Sequence, residues 1–117
     1  MPATTTDLFA DIDTMDAGLF ASHLSEDAVL RFGNAPPVEG RRAIEESIAG
    51  FFTTIKALSH ELVGQWDVDD ATIVEVEVTY TRLDGDQVTF PAVVIMRRSG
   101  ELIDDYRIFI DQGPLYA

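Results

Sequence analysis

Apolar residues recur with two different rhythms along this chain of 117 residues. In the first half they return every three or four positions, the period of a helix. In the second half they alternate with polar residues, the period of a strand. Residues 1–6 read as a loose arm. Thr6 or Asp7 can cap a first short helix over residues 8–13, and Asp16 can cap a second over 17–24. Leu19, Phe20 and Leu24 would share one face of that second helix. A strand over 28–32 follows, broken by Gly33, Asn34, Pro36 and Pro37. A third helix starts near Arg41, with Ile44, Ile48, Phe51, Phe52 and Ile55 as its buried stripe.

The remainder reads as four strands, over 58–67, 72–82, 87–98 and 102–111. Val74, Val76, Val78 and Tyr80 fall on one face of the second of these, and Glu75, Glu77, Thr79 and Thr81 on the other. Asp84-Gly85 and Ser99-Gly100 mark hairpin turns. Pro91 implies a bulge or an edge position. Helices first and antiparallel strands afterwards predict an α+β fold of one domain, residues 1–117, with helices packed on one face of a strongly curved sheet. Such a shape leaves a cone that can hold a small molecule.

Composition narrows the function classes. With 46% hydrophobic residues the chain has enough apolar surface to fold unaided. Lys and Arg number 8 against 21 Asp and Glu, a formal charge of −13. That field repels phosphate backbones and anionic lipid, so neither nucleic acid nor a membrane is expected as a partner. There is no cysteine, which excludes disulfides and thiolate chemistry and fits a cytoplasmic location. The segment MPATTTDLFADID has no basic start and no long apolar run, so no signal peptide is expected.

Four segments carry a resemblance: DAVLRFGNAPPVEG, GRRAIEESIAGFF, EVTYTRLDG and ELIDDYRIFID. In this order and spacing the chain resembles the NTF2-like superfamily, and within it the SnoaL-like, polyketide cyclase-like group. Limonene-1,2-epoxide hydrolase and ketosteroid isomerase are neighbours of that group. The resemblance implies a cone-shaped α+β barrel with a deep pocket and a homodimer formed through the outer face of the sheet. It does not imply one activity. The hydrolase's water-positioning Tyr and Asn fall on Leu30 and Phe32, or on Phe32 and Asn34. Its Arg and Asp fall on Val78 and Tyr80, and its second Asp on Ile108. The carboxylate pair that passes a proton across water and epoxide is therefore missing, and epoxide hydrolysis is not expected. The isomerase's general base falls near Arg31, which cannot act as one.

The same transfer turns Val76, Val78, Tyr80, Tyr106, Ile108 and Ile110 into the cone, with His60, Leu62 and Trp66 from the neighbouring strand. His60 is the leading acid/base candidate; the alternative is a structural His at a strand start. Tyr80 and Tyr106 are candidate hydrogen-bond donors to an oxyanion, or aromatic packing. Asp104 shares parity with Tyr106 and is either a desolvated acid/base at the pocket mouth or a solvated turn residue. Asn34 sits where the rim is expected, and Phe32 on the wall. Arg107 should pair with Glu75, Glu77 or Asp105 on the outer face. His23 reads as structural. No metal or cofactor is expected, because two His without ligand spacing do not make a site. The expected partner is a small apolar or carbonyl-containing molecule. The expected chemistry is acid/base isomerisation, cyclisation or dehydration; the alternatives are a non-catalytic binding module and a structural dimer with a filled cone.

Overall fold

The computed structural model describes residues 4–116. Helix α1 spans Thr5–Asp13 with Thr4 as its N-cap. The Thr4 hydroxyl accepts the Asp7 N–H at 3.1 Å, and the Asp7 carboxylate accepts the Thr4 N–H at 3.2 Å. This reciprocal box satisfies two helix-end donors at once. It draws Thr4, Thr5 and Thr6 into the helix, which corrects the expected arm; its residues 1–3 lie outside the described residues.

Helix α2, Ala17–Ala21, is capped by Asp16 as expected, through the Gly18 and Leu19 N–H groups. It stops before Leu24. That residue instead opens strand β1, Leu24–Phe32, in register with Ile103 and fully buried. An apolar residue on the core side fits either period, and strand pairing decides it. Strand β2, Val38–Glu39, folds back on β1 and is too short to show a rhythm. Helix α3 spans Arg41–Phe52. Gly40 precedes it at φ 95°, a conformation open to glycine, and donates its N–H to Ala28 at 2.7 Å. This bond ties the helix start to β1.

Four longer strands follow: β3 (Ala57–Val68), β4 (Ala71–Thr81), β5 (Gln87–Ser99) and β6 (Leu102–Phe109). The sheet order is β2-β1-β6-β5-β4-β3. Every pairing is antiparallel except β1 with β6, which is parallel. The alternation expected on β4 holds, with Val74, Val76, Val78 and Tyr80 buried. Pro91 lies opposite Glu77, but β5 gains β6 as a neighbour only from Val93 on. At Pro91 the strand is locally an edge, where a missing N–H costs little. The helices pack on the sheet through α1 on β3 and α3 on β1, with α2 joining them. Leu8, Leu24, Leu30, Ile44, Met96 and Ile103 are the apolar centre of the core.

Two bulges redirect side chains. In β3, Leu62 faces Val76 and Gly64 faces Glu75, so Val63 is an extra residue. Beyond it Trp66 takes the register of Ile73, on the outer face, and is 51% exposed. In β6, Arg97 faces Asp105 and Arg98 faces Ile103, so Asp104 is extra. One added residue reverses parity, and both changes bear on the site.

Candidate functional site

An apolar cavity lies between the helices and the sheet. Ile12, Phe20, Ile48, Phe51 and Phe52 line the helical side, and Phe32, Val76, Val78, Ala92, Val94 and Ile108 the sheet side, with Ile110 just after β6. His60, Tyr80 and Tyr106 are the polar side chains of the wall, and none of its residues is an acid, Lys or Arg. The cavity volume is about 40 Å³, although the walls bound about 510 Å³ of non-atom space when the open side is counted. Ligand sites usually offer ~300 Å³ or more. The cone is therefore largely filled by its own side chains.

His60 is held from helix α1. Its Nδ1 lies 2.6 Å from one Asp13 oxygen, and its backbone N–H donates to the other at 3.0 Å. Phe9, one helical turn before Asp13, stacks on the imidazole at 4.6 Å between ring centres. The ring is thus gripped on one edge and one face, which leaves Nε2 as the nitrogen not engaged by Asp13. Tyr106 is 2% exposed and meets Phe20 edge-on. Burial pushes its hydroxyl well above the usual tyrosine range, helped by Tyr80 and Asp13 nearby. Burial likewise pushes Tyr80 up to about 12, tempered by the Gln112 amide. Both phenols are therefore neutral hydrogen-bond donors at physiological pH. Among the described residues, no three His, Asp or Glu side chains converge as a metal site requires.

The sequence pattern of the SnoaL-like domain matches residues 5–106 of this chain. The chain belongs to the SnoaL-like domain family. No curated protein matches it significantly. An NTF2-like protein of unknown function from Burkholderia pseudomallei is 12% identical, with a TM-score of 0.84 over 94% of this chain and 89% of that one. A putative SnoaL-like polyketide cyclase from Jannaschia is 16% identical, with a TM-score of 0.80 over 95% and 85%. TerC, crystallised with polyporic acid, is 15% identical, with a TM-score of 0.82 over 95% and 91%. At these identities the likeness establishes the fold, an α+β NTF2-like cone of three helices and a six-stranded, mostly antiparallel sheet.

Within this SnoaL-like domain the cavity brings together Phe32, His60, Val76, Val78, Tyr80, Tyr106, Ile108 and Ile110. Four expected residues stand elsewhere. Asn34 is exposed in the turn after β1. Trp66 faces outward because of the Val63 bulge. Leu62 keeps inward parity but lies on the edge strand outside the wall, 43% exposed. Asp104 is the extra residue of the β6 bulge and is absent from the cavity wall. Arg107 pairs with Asp105 at 3.0 Å, which raises its pKa further. His23 pairs with Asp11 at 2.7 Å, a structural contact that fastens α1. Asp13 is the functional candidate that strand parity misses. Its signal is the four-residue spacing from Phe9, which sets a carboxylate on the stripe of α1 that meets the sheet.

Proposed function

We propose that this SnoaL-like domain binds a small, largely apolar molecule in its cone and moves a proton on it. The reading rests on the Asp13–His60 pair, set in the wall of an otherwise apolar cavity. Asp13 fixes the tautomer and orientation of the imidazole and stabilises the cation that forms when Nε2 accepts a proton. His60 Nε2 takes a proton from a carbon next to a carbonyl group. The C–H electron pair moves into the enolate, whose charge rests on oxygen. Tyr80 or Tyr106, both neutral, donates a hydrogen bond to that oxygen. Return of the proton to a second carbon completes an isomerisation, and departure of hydroxide from the enolate, protonated as it leaves, completes a dehydration. TerC was crystallised with a small molecule, polyporic acid, which supports ligand binding by this fold.

The test is solvent deuterium incorporation into a panel of small cyclic ketones and enones, followed by mass spectrometry. Wild type should catalyse exchange, and His60→Ala should lower it by roughly 100-fold or more. Exchange that survives His60→Ala, or is absent from wild type, rules the reading out.

The small free volume favours a second reading, a filled cone that serves as a structural or non-catalytic module. Either version is compatible with self-association through the outer sheet face. There Trp66 and Phe109 stand exposed beside the half-buried Ile73, Val93 and Ile95. No described helix is long and apolar enough to cross a membrane. The cytoplasm is the proposed compartment, on the absence of cysteine.

A further inference from the structure

The outer face of the sheet holds two like-charge pairs of opposite sign. Glu61 on β3 stands opposite Glu77 on β4, and Arg31 on β1 stands opposite Arg107 on β6. All four point outward, because their neighbours His60, Val76, Leu30 and Tyr106 face the cavity or the core. Glu75 extends the acidic end along β4. Arg97 extends the basic end, and Asp105 offsets part of it by pairing with Arg107 at 3.0 Å. No ion pair among the described residues engages Arg31, Glu61, Glu75 or Glu77. Like charges placed opposite each other on neighbouring strands are destabilising, so each pair calls for a countercharge.

Between the two pairs lies an apolar strip of Ile73, Val93, Ile95 and Phe109. Val93 is at its centre, facing Glu75 on one side and Phe109 on the other. Glu77 lies opposite Pro91, two residues from Val93 in one direction, and Arg107 lies opposite Ile95, two residues away in the other. Across the sheet, each like-charge pair is centred about one and a half strands from β5, on opposite sides. The sideways and lengthwise steps are each roughly 7 Å. The acidic and basic pairs therefore sit at opposite ends of a diagonal through Val93.

Resting on the outer-face association proposed above, we propose that a second copy of this chain docks here in the orientation that sets each acidic pair against the partner's basic pair. A two-fold axis lying in the interface, through Val93 and at right angles to that diagonal, produces this match. Glu61 then meets the partner's Arg31, and Glu77 meets the partner's Arg107. The strands of the two copies cross at nearly a right angle, one of the regular ways in which sheets pack. The axis runs past Ile73 and Trp66, so their apolar surfaces meet their own counterparts. A partner of one charge sign would answer only one end of the diagonal, whereas a second copy of the same face answers both.

The experiment is sedimentation equilibrium at low salt on the intact chain, Glu61→Arg, Arg31→Glu, the chain carrying both substitutions, and an equal mixture of the two single variants. Each contact occurs twice in a symmetric dimer, so either single variant should raise the dimer Kd roughly tenfold or more. The double variant and the mixture should both recover most of the loss, because each restores an opposite charge across the interface. Recovery in the mixture also shows that both single variants are folded. A monomeric wild type, a single variant that associates as tightly as wild type, or a mixture that fails to recover overturns the proposal. With wild type dimeric and Phe109→Asp monomeric, unaltered association of the charge variants removes this orientation alone and leaves association through the outer face standing.

Discussion

Asp13 holds His60 at two points, the ring Nδ1 at 2.6 Å and the backbone N–H at 3.0 Å. One carboxylate at the end of α1 thus fixes both the ring and the strand that carries it. Asp13→Ala leaves a part-buried N–H and ring nitrogen without their acceptor. A loss of about 1–3 kcal/mol is expected, read by urea denaturation. A change below ~0.5 kcal/mol would mean that the pair contributes little to folding.

Phe51 contacts Phe32, Phe52 and Tyr80 through its ring and lines the cavity. Phe51→Ala should enlarge the cavity and let toluene bind. The stability cost should stay below the ~3–5 kcal/mol of a fully buried Phe, because this ring is only half-buried. If toluene does not raise the melting temperature of the variant, the cone collapses rather than opens.

The buried phenols give a signature at high pH. Tyr80 is raised to about 12, and Tyr106 is raised as well, both mainly by burial. Their stabilising contribution is complete below the unfolded tyrosine value of ~10 and is lost as pH rises toward the folded values. Each contributes a slope of about 1.4 kcal/mol per pH unit between those limits. Urea denaturation between pH 9 and about 11.5 should show the decline, and Tyr80→Phe should remove one tyrosine's share. A slope equal to that of wild type would show that Tyr80 ionises freely.

Trp66 lies over Gly64, so that a Cβ added at Gly64 would stand 2.8 Å from the indole. Gly64→Ala should swing the half-exposed ring away and change its fluorescence, which is readable because this is the chain's single Trp. Stability should move by less than ~1 kcal/mol, since the ring yields more easily than backbone. An unchanged emission spectrum would refute this packing.

Phe109 is 54% exposed on the outer face. Phe109→Asp should leave the circular dichroism unchanged and shift the sedimentation coefficient from dimer toward monomer. A wild type that sediments as a monomer at high concentration contradicts the proposed self-association.

Much of this architecture was legible because strands announce themselves by alternation. Val74 to Tyr80 and Tyr106 to Ile110 keep phase, and their inward faces follow directly. The phase fails at Val63 and Asp104, where a single extra residue turns everything beyond it over. Gly64 is the one mark the first bulge leaves in the sequence, a glycine inside a strand, and the second has none; Trp66 and Asp104 are therefore expected inside by parity alone. Leu24 shows the complementary ambiguity, an apolar residue that suits a helix end as well as a strand start. The partnership of Asp13 with His60 joins residues far apart in sequence, and only the docking of α1 on β3 brings it about.

The parallel pairing of β1 with β6 sets an order of events in folding. Leu30 meets Tyr106, so an early strand waits for one of the last segments before the sheet can join. Hairpins β3–β4 and β4–β5 can form locally and fast, while closure of the cone depends on a contact between distant parts of the chain. Folding should therefore be slow for a chain of this length, on the scale of milliseconds to seconds. Until closure, β1 presents an unpaired apolar edge. During synthesis that edge is the segment most in need of protection from neighbouring chains.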